Sequence, residues 1–412
     1  MRKNLWLMAT CVVLLLGLLA GCTKTTTPTT TSSRTVTATT ATTSTATPAA
    51  SAATPEKPKL LTVVTLDVGT KQYVATGMVT EAIRDKFGIP VRMVPIGVGL
   101  NGLFVVRSGQ ANWIYTSGDA YTSREGTEAF ANRAWGPQKM RMLYEFLSAQ
   151  DVSGLMVRGD SAINTPKDLK GKKLPTIPGY PAFNSIFDAI LAFGGLTWND
   201  VTKVEVPSYA QVADALTQGK VDIHVLNTTN PAAIAAAQGS PGIRWIPLDS
   251  NDKEGWKRLL AVSPQRSPAA TTVGPGISKE KPYPGFATAQ VQDAFDTLGN
   301  DTAYWITKVW AESYAAYKDK NVSLEDASLD EALKIVQKGI AYAWHPGSIR
   351  YFKEINRWTP EIEAWNNKVL EREAKLLKAW EACLAEADAS KLTEDKLPAL
   401  WNKYRAEIPP VQ

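Results

Sequence analysis

The chain is 412 residues long, 44% hydrophobic and 21% charged, with a formal net charge of +5 and three cysteines. A charge this small, without a basic cluster, argues against nucleic acid as a partner. Once the atypical start of the chain is set aside, the remainder is long enough for two lobes of ordinary domain size.

Residues 1–21 read as a targeting segment. Arg2 and Lys3 precede an apolar run, Leu5–Leu19, that is too short for the roughly 20 residues of a membrane-spanning helix. Its ending, Leu19-Ala20-Gly21-Cys22, resembles the bacterial lipobox, in which cleavage precedes the Cys and the Cys takes a lipid. An ordinary signal peptide or an uncleaved anchor is the alternative. Residues 22–59 are dominated by Thr, Ser, Ala and Pro and hold too little apolar area to offset ordering entropy, so a disordered tether is expected there. Cys11 leaves with the signal, Cys22 is the lipidation candidate and Cys383 stands alone, so no internal disulfide is expected.

Leu60–Leu66 reads as a buried strand, and Asp67–Gln72 as a Gly-containing turn. An amphipathic helix follows, with Val74, Met78, Val79, Ala82, Ile83 and Phe87 at helical spacing. Such a unit aims free backbone N–H groups at the crevice above the sheet, although any α/β domain contains units of this kind. A second strand, Val91–Ile96, runs into Gly97-Val98-Gly99-Leu100-Asn101-Gly102, which fits the G-x-G-x-x-G spacing with Asp119 some way downstream. Glycine-rich strand-to-helix turns are common, and an exported protein meets little nicotinamide cofactor. No cofactor is therefore expected. Ala111–Tyr115 reads as a third strand whose loop, Thr116–Asp119, faces the same opening.

The plan recurs in a second lobe. Leu174–Ile177 is a strand ending in Pro178-Gly179-Tyr180-Pro181, followed by a helix carrying Phe183, Ile186, Phe187 and Ile190 on one face. Residues 217–225 repeat the order seen at 107–115, a Gly-stopped helix and then a short strand, with Asn227–Pro231 as the polar loop. Residues 267–285 are rich in Pro and Gly and read as a loop at the cleft rim. Asp301–Lys318 and Leu329–Ala341 read as helices. Pro360–Ala389 reads as one long helix whose stripe of Ile362, Trp365, Val369, Leu376 and Trp380 packs on the back of a lobe or pairs two chains. His224 and His345 lack metal-ligand spacing, so neither a metal site nor an acid–base pair stands out.

From about Leu60 to Lys353 the chain resembles the TAXI-type solute-binding proteins of TRAP transporters. The pieces that match are Gly69-Thr70 with Tyr73, Ser108–Asn112, Asp119–Tyr121, Asp168–Lys172, Pro178-Gly179, Tyr283–Gly285 and His345–Phe352. The resemblance implies an α/β, two-lobe type II periplasmic-binding-protein fold with hinge strands. Lobe 1 would take residues 60–153 and 286–354, lobe 2 residues 154–285, and a C-terminal helical extension residues 355–412. It further implies an extracytoplasmic, lipid-anchored receptor without enzymatic activity. Such a receptor captures a small organic solute, a carboxylate or amino-acid-like anion, and delivers it to a TRAP-type permease. A ligand-sensing module of a signalling system on the same fold is the alternative. Lys71-Gln72 and Val98-Gly99 depart from the family's usual small residues, so the solute is expected to differ from that of relatives.

The residues expected at the ligand are Thr70, Gln72, Tyr73, Gly97, Gly99, Asn101, Ser117, Asp119, Gly179, Tyr180, Phe183, Asn227, Thr228 and Asn230. Thr70, Gln72 and Tyr73 would donate to a carboxylate or simply cap a helix, and Ser117 and Asp119 lie at a strand tip. Tyr180 and Phe183 would enclose the solute or pack a lid. Asn227, Thr228 and Asn230 offer neutral donors and acceptors. Arg158 and Arg350 are candidate partners for a carboxylate, with structural ion pairs the role expected of each.

Overall fold

The computed structural model describes residues 55–97, 99–146, 152–178 and 180–411. The targeting segment, the tether with Cys22, and Gly179 lie outside them. From Ala52 onward the chain is one unit.

The first half opens with β1 (Leu61–Thr65), α1 (Lys71–Phe87), β2 (Val91–Pro95), α2 (Gly99–Arg107), β3 (Trp113–Thr116), α3 (Gly118–Glu125) and β4 (Met140–Phe146). Every residue of β1 is buried, as a parallel strand covered on both faces requires. The N-terminus of α1 is capped by the Thr70 hydroxyl, which accepts from the Tyr73 N–H, and its end by Gly88 in the left-handed region.

The second half contains β5 (Ser153–Arg158), β6 (Lys173–Thr176), α4 (Pro181–Gly194), β7 (Thr202–Glu205), α5 (Tyr209–Thr217), β8 (His224–Asn227), α6 (Pro231–Gln238), β9 (Ile243–Ile246) and α7 (Lys253–Val262). It continues through β10 (Arg266–Thr271) and β11 (Tyr283–Thr288). The chain then returns to the first half with β12 (Gln290–Phe295), α8 (Asn300–Tyr317), the short α9 (Leu329–Ala332) and α10 (Pro346–Glu354). It ends in α11 (Pro360–Ala389) and α12 (Leu397–Ala406).

One mixed and one antiparallel five-stranded sheet result, with β6 and β7 paired in parallel as a separate two-stranded sheet. One has the order β2-β1-β3-β12-β4; in the other β10-β11-β5-β8 is continuous and β9 also pairs with β5. In the first sheet β12 is antiparallel to both β3 and β4. The chain passes between the sheets twice, from β4 to β5 and from β11 to β12. Ala289 alone separates the second pair. This is the two-lobed α/β architecture of type II expected from the sequence. Each sheet has its own core, around Trp113, Tyr144 and Trp310 in one half and around Leu155, Phe187 and Val225 in the other.

Two elements differ from expectation. The two ends of the segment 267–285 are strand and residues 272–282 are the loop between them: β10 and β11 pair antiparallel from Arg266 opposite Thr288 to Thr271 opposite Tyr283. Pro268 is tolerated because β10 is an edge strand, where a missing N–H breaks no ladder. The helix expected over 329–341 stops at Ala332. Gly339, at φ +64°, turns the chain so that the Ala343 carbonyl accepts from Met142 and the His345 N–H donates to the Met142 carbonyl, at 2.8 and 2.9 Å. His345 then caps α10, its Nδ1 accepting from the Gly347 N–H.

The apolar stripe of α11 is spent within the chain. Ile362, Trp365 and Val369 join the core of the first half, while Leu376 and Trp380 meet Trp401 of α12 and Ala131. Polar contacts fasten the same helices to the first half: Arg141 forks onto Glu373 at 2.7 and 2.8 Å, and the Trp401 indole donates to the Glu125 carbonyl at 2.9 Å. Arg158 pairs with Asp160 and Arg350 with Asp301, both near the surface.

Candidate functional site

The tips of β1, β3, β5 and β8 and the returning strands around Ala289 converge on one cleft between the halves. Thr70, Lys71 and Gln72 supply it from the start of α1, and Ser117 and Gly118 from the start of α3. Across from them stand Tyr180, Phe183 and Tyr209, together with Asn227 and Asn230 at the end of β8. The floor is Arg266, Thr288 and Gln290.

Hydrogen bonds organise the floor and leave particular atoms over. Gln72 Nε2 donates to Gln290 Oε1 at 3.3 Å, and Gln290 Nε2 donates to the Thr288 carbonyl at 3.1 Å. Gln72 Oε1 is buried and accepts from no donor among the described residues. The Arg266 guanidinium donates through Nε to Ser263 at 2.9 Å and through Nη1 to Thr288 at 3.3 Å. Its Nη2 is buried without a hydrogen-bond partner. Burial lowers the Arg266 pKa to about 10, so the group stays charged at neutral pH, and it lies over the Phe286 ring at 4.9 Å. The residues around the cleft include two cations, Lys71 and Arg266, and no carboxylate.

The aromatic wall is a packed cluster. Tyr180 stacks on Phe183 at 6.0 Å, and Phe183 meets Tyr209 edge-on at 5.6 Å. His224 lies against both Phe183 and Tyr209; burial pushes its pKa down to about 3, so it is neutral. The halves touch at the rim, where a Cβ built on Gly118 would stand 3.3 Å from the Ala182 Cβ. The enclosed space is correspondingly small, about 60 Å³. That holds a few waters and is well below the roughly 300 Å³ at which small-molecule sites begin. A molecule of the size such sites hold would need the halves to part.

Seven of the expected residues line this cleft: Thr70, Gln72, Ser117, Tyr180, Phe183, Asn227 and Asn230. Tyr73, Gly97, Gly99, Asn101, Asp119 and Thr228 do not. The Thr228 hydroxyl is committed to the Val273 carbonyl at 2.8 Å. Asn101 is exposed on α2, and Gly97 and Gly99 use positive φ to turn the chain into that helix. Asp119 sits on the first turn of α3, fully buried, with both oxygens unpartnered, and burial raises its pKa to about 7. Asn230 has a structural duty as well, since its Oδ1 caps α6 through the Ala232 N–H at 2.9 Å.

Lys71, Tyr209, Arg266, Thr288 and Gln290 also line the cleft and are not among the residues expected from the sequence. Arg266 immediately precedes the segment read as a loop, and only long-range pairing of β10 with β11 brings it to the floor. Among the described residues no group of three His, Cys, Asp or Glu is placed to hold a metal. Among them also, no helix is long and apolar enough to cross a membrane.

Residues 103–355 match the NMT1-like family. No curated protein matches the chain. Among solved structures it is similar to the periplasmic binding protein BugD, at 12% identity and a TM-score of 0.47 over 78% of this chain and 98% of that one. It is also similar to the alkanesulfonate-binding protein SsuA from Xanthomonas axonopodis pv. citri bound to MOPS, at 14% identity and a TM-score of 0.41 over 82% and 95% of the two chains. For the periplasmic aliphatic sulphonate binding protein SsuA from Escherichia coli the values are 15%, 0.37, 76% and 79%.

Proposed function

We propose that this chain, which belongs to the NMT1-like family, is an extracytoplasmic receptor that closes its two halves on a small organic anion and delivers it to a membrane transporter. One observation carries the reading: the cleft floor between the two halves holds the buried Nη2 of Arg266, which has no hydrogen-bond partner among the described residues. A buried guanidinium nitrogen without a partner is costly unless an anion comes to it. Beside it, Gln72 Oε1 is an acceptor without a donor. The pair suits a carboxylate that also carries a hydroxyl or amino group.

Binding without chemical change fits this wall, which offers amides, hydroxyls and aromatic faces but no acid–base pair. Residues 60–153 with 286–354 and residues 154–285 would move as two bodies about the strands flanking Ala289, as in hinge closure. The motifs from Gly69 to Phe352 favour the TAXI type and hence a TRAP-type permease as the recipient. Cys22 would hold the receptor to the membrane through a lipid.

The test is a thermal-shift screen of the protein against short hydroxy, oxo, amino and aromatic carboxylates. A ligand at 100 times its Kd should stabilise the fold by about 2.7 kcal/mol. Replacing Arg266 by Met should remove a charge-assisted hydrogen bond of roughly 1.5–3 kcal/mol, weakening the anion about 10- to 100-fold. If no anion stabilises the protein, or the one that does is indifferent to Arg266→Met and Lys71→Ala together, the reading is wrong.

A further inference from the structure

A second cavity lies behind Arg266, which it shares with the cleft. It encloses about 280 Å³ between α3, the strands flanking Ala289, the 338–343 segment and α11. Its wall is apolar over Ile340, Tyr342, Val369, Leu376 and Val411. The chain end closes it, held down by Arg372, whose Nε donates to the Pro409 carbonyl at 2.8 Å.

The charges on this wall are unequally matched. Arg124 is paired with Asp293, Lys338 with Glu145 and Arg141 with Glu373. Arg372 and Arg405 share the single carboxylate of Glu125. Arg266 makes no ion pair among the described residues, and its Nη2 is unpartnered, as is the buried Oε1 of Gln265 beside it. One end of the cavity is thus cationic and the other is hydrocarbon. A route from solvent exists: a wider groove between α12, α4 and α7 shares Tyr121, Pro264, Gln265 and Pro410 with the cavity.

We propose that this cavity, which meets the inter-lobe cleft at Arg266, is a second ligand site for an amphipathic monocarboxylate whose head competes with the cleft anion for Arg266 and whose tail lies against Ile340, Val369, Leu376 and Val411. A 150 Å³ cavity takes benzene, so this one has room for an acid of roughly ten heavy atoms. Mid-chain fatty acids and aryl carboxylates have that size and shape. The C-terminal extension supplies much of the wall, which gives α11 and the chain end a part in binding as well as in packing.

The experiment is calorimetric titration of the full chain with octanoate, and with 1-octanol as the uncharged control. Octanoate should bind at one site and 1-octanol at least tenfold more weakly. Val411→Trp at the chain end and Ala341→Phe on the half-buried wall both fill the cavity without touching the cleft. Each should weaken octanoate at least tenfold, with the melting transition retained as the check on folding. Asn227→Ala, which changes only the cleft, should leave octanoate binding as it was.

The proposal is overturned if wild type binds no octanoate, if both filling variants bind it as well as wild type, or if Asn227→Ala abolishes binding. The two readings meet at Arg266 and are told apart by the variants that fill the cavity alone. Stabilisation by a short cleft anion would persist in Val411→Trp even if octanoate never binds, and its absence would leave the octanoate result standing.

Discussion

Gln72 and Gln290 lie 218 positions apart and meet on the floor of the cleft, the amide of one donating to the carbonyl of the other at 3.3 Å. The bond joins the first turn of α1 to the strand that returns the chain from the second half. A residue of the cleft wall is thereby wired to the place where the halves are joined.

Changing Gln72 to Glu keeps the shape and reverses the electrostatics. A carboxylate there accepts from Arg266 or Lys71 and repels the solute's own carboxylate. The anion found in the screen should weaken more than tenfold, while Gln72→Ala weakens it about tenfold at a stability cost of about 1 kcal/mol for the lost Gln290 bond. Ligand-dependent thermal shifts of both variants measure this. Equal anion binding by Gln72→Glu and wild type would exclude Gln72 from the site.

Gly118 is the contact point between the halves, because its missing Cβ leaves just enough room for Ala182. Gly118→Leu should prop the cleft open. Small-angle scattering should then report a larger radius of gyration than wild type, one that added solute no longer reduces. An unchanged scattering profile would show that the halves do not close at this contact.

Arg124 and Asp293 form a fork buried from solvent, with bonds of 3.0 and 2.6 Å, and the guanidinium lies over the Tyr342 ring at 4.4 Å. Asp293→Ala leaves the arginine charged and alone, which costs about 3–5 kcal/mol. Denaturant unfolding should show this loss. Replacing both members by Met and Leu should recover most of it, since removing the whole pair takes away the stranded charge.

Asp119 should give the protein a pH-dependent stability. Its folded pKa, about 7, is above the ordinary 3.8, so the folded state binds the extra proton. The stabilisation is present below about pH 4 and is lost as pH rises to about 7. His224 and His345, held near 3 and 4 by burial, slope the other way below 6.5. The difference between Asp119→Asn and wild type isolates the carboxyl. It should grow in favour of Asn across that window, reaching on the order of 4 kcal/mol, as read from melts at successive pH values. A difference that does not change with pH would place the Asp119 pKa at its ordinary value.

Much of the first half was legible because its signals are local. Leu61–Thr65 is a continuous apolar run, and the helix after it keeps its period and ends on Gly88. The long helix from Pro360 announced itself by its stripe, though only the folded chain shows that Trp380 meets Trp401. The floor of the cleft was not legible. Arg266 and Gln290 owe their places to pairing across distant strands, and the prolines at 268 and 284 gave that region the look of a loop. Thr228 and Asp119 misled for the opposite reason: polar residues at strand tips look like ligands, whereas one serves a neighbouring carbonyl and the other is sealed in.

The single residue between β11 and β12 sets a rule for how this sequence can drift. Side chains alternate along a strand, so an insertion or deletion at Ala289 would exchange the two faces of Gln290–Phe295. Gln290 and Gln292 would turn away from Gln72 and Trp113, and Asp293 from Arg124, all at once. Homologous chains should therefore vary freely in the length of their outer loops yet keep one residue at this seam, whatever solute each has come to prefer.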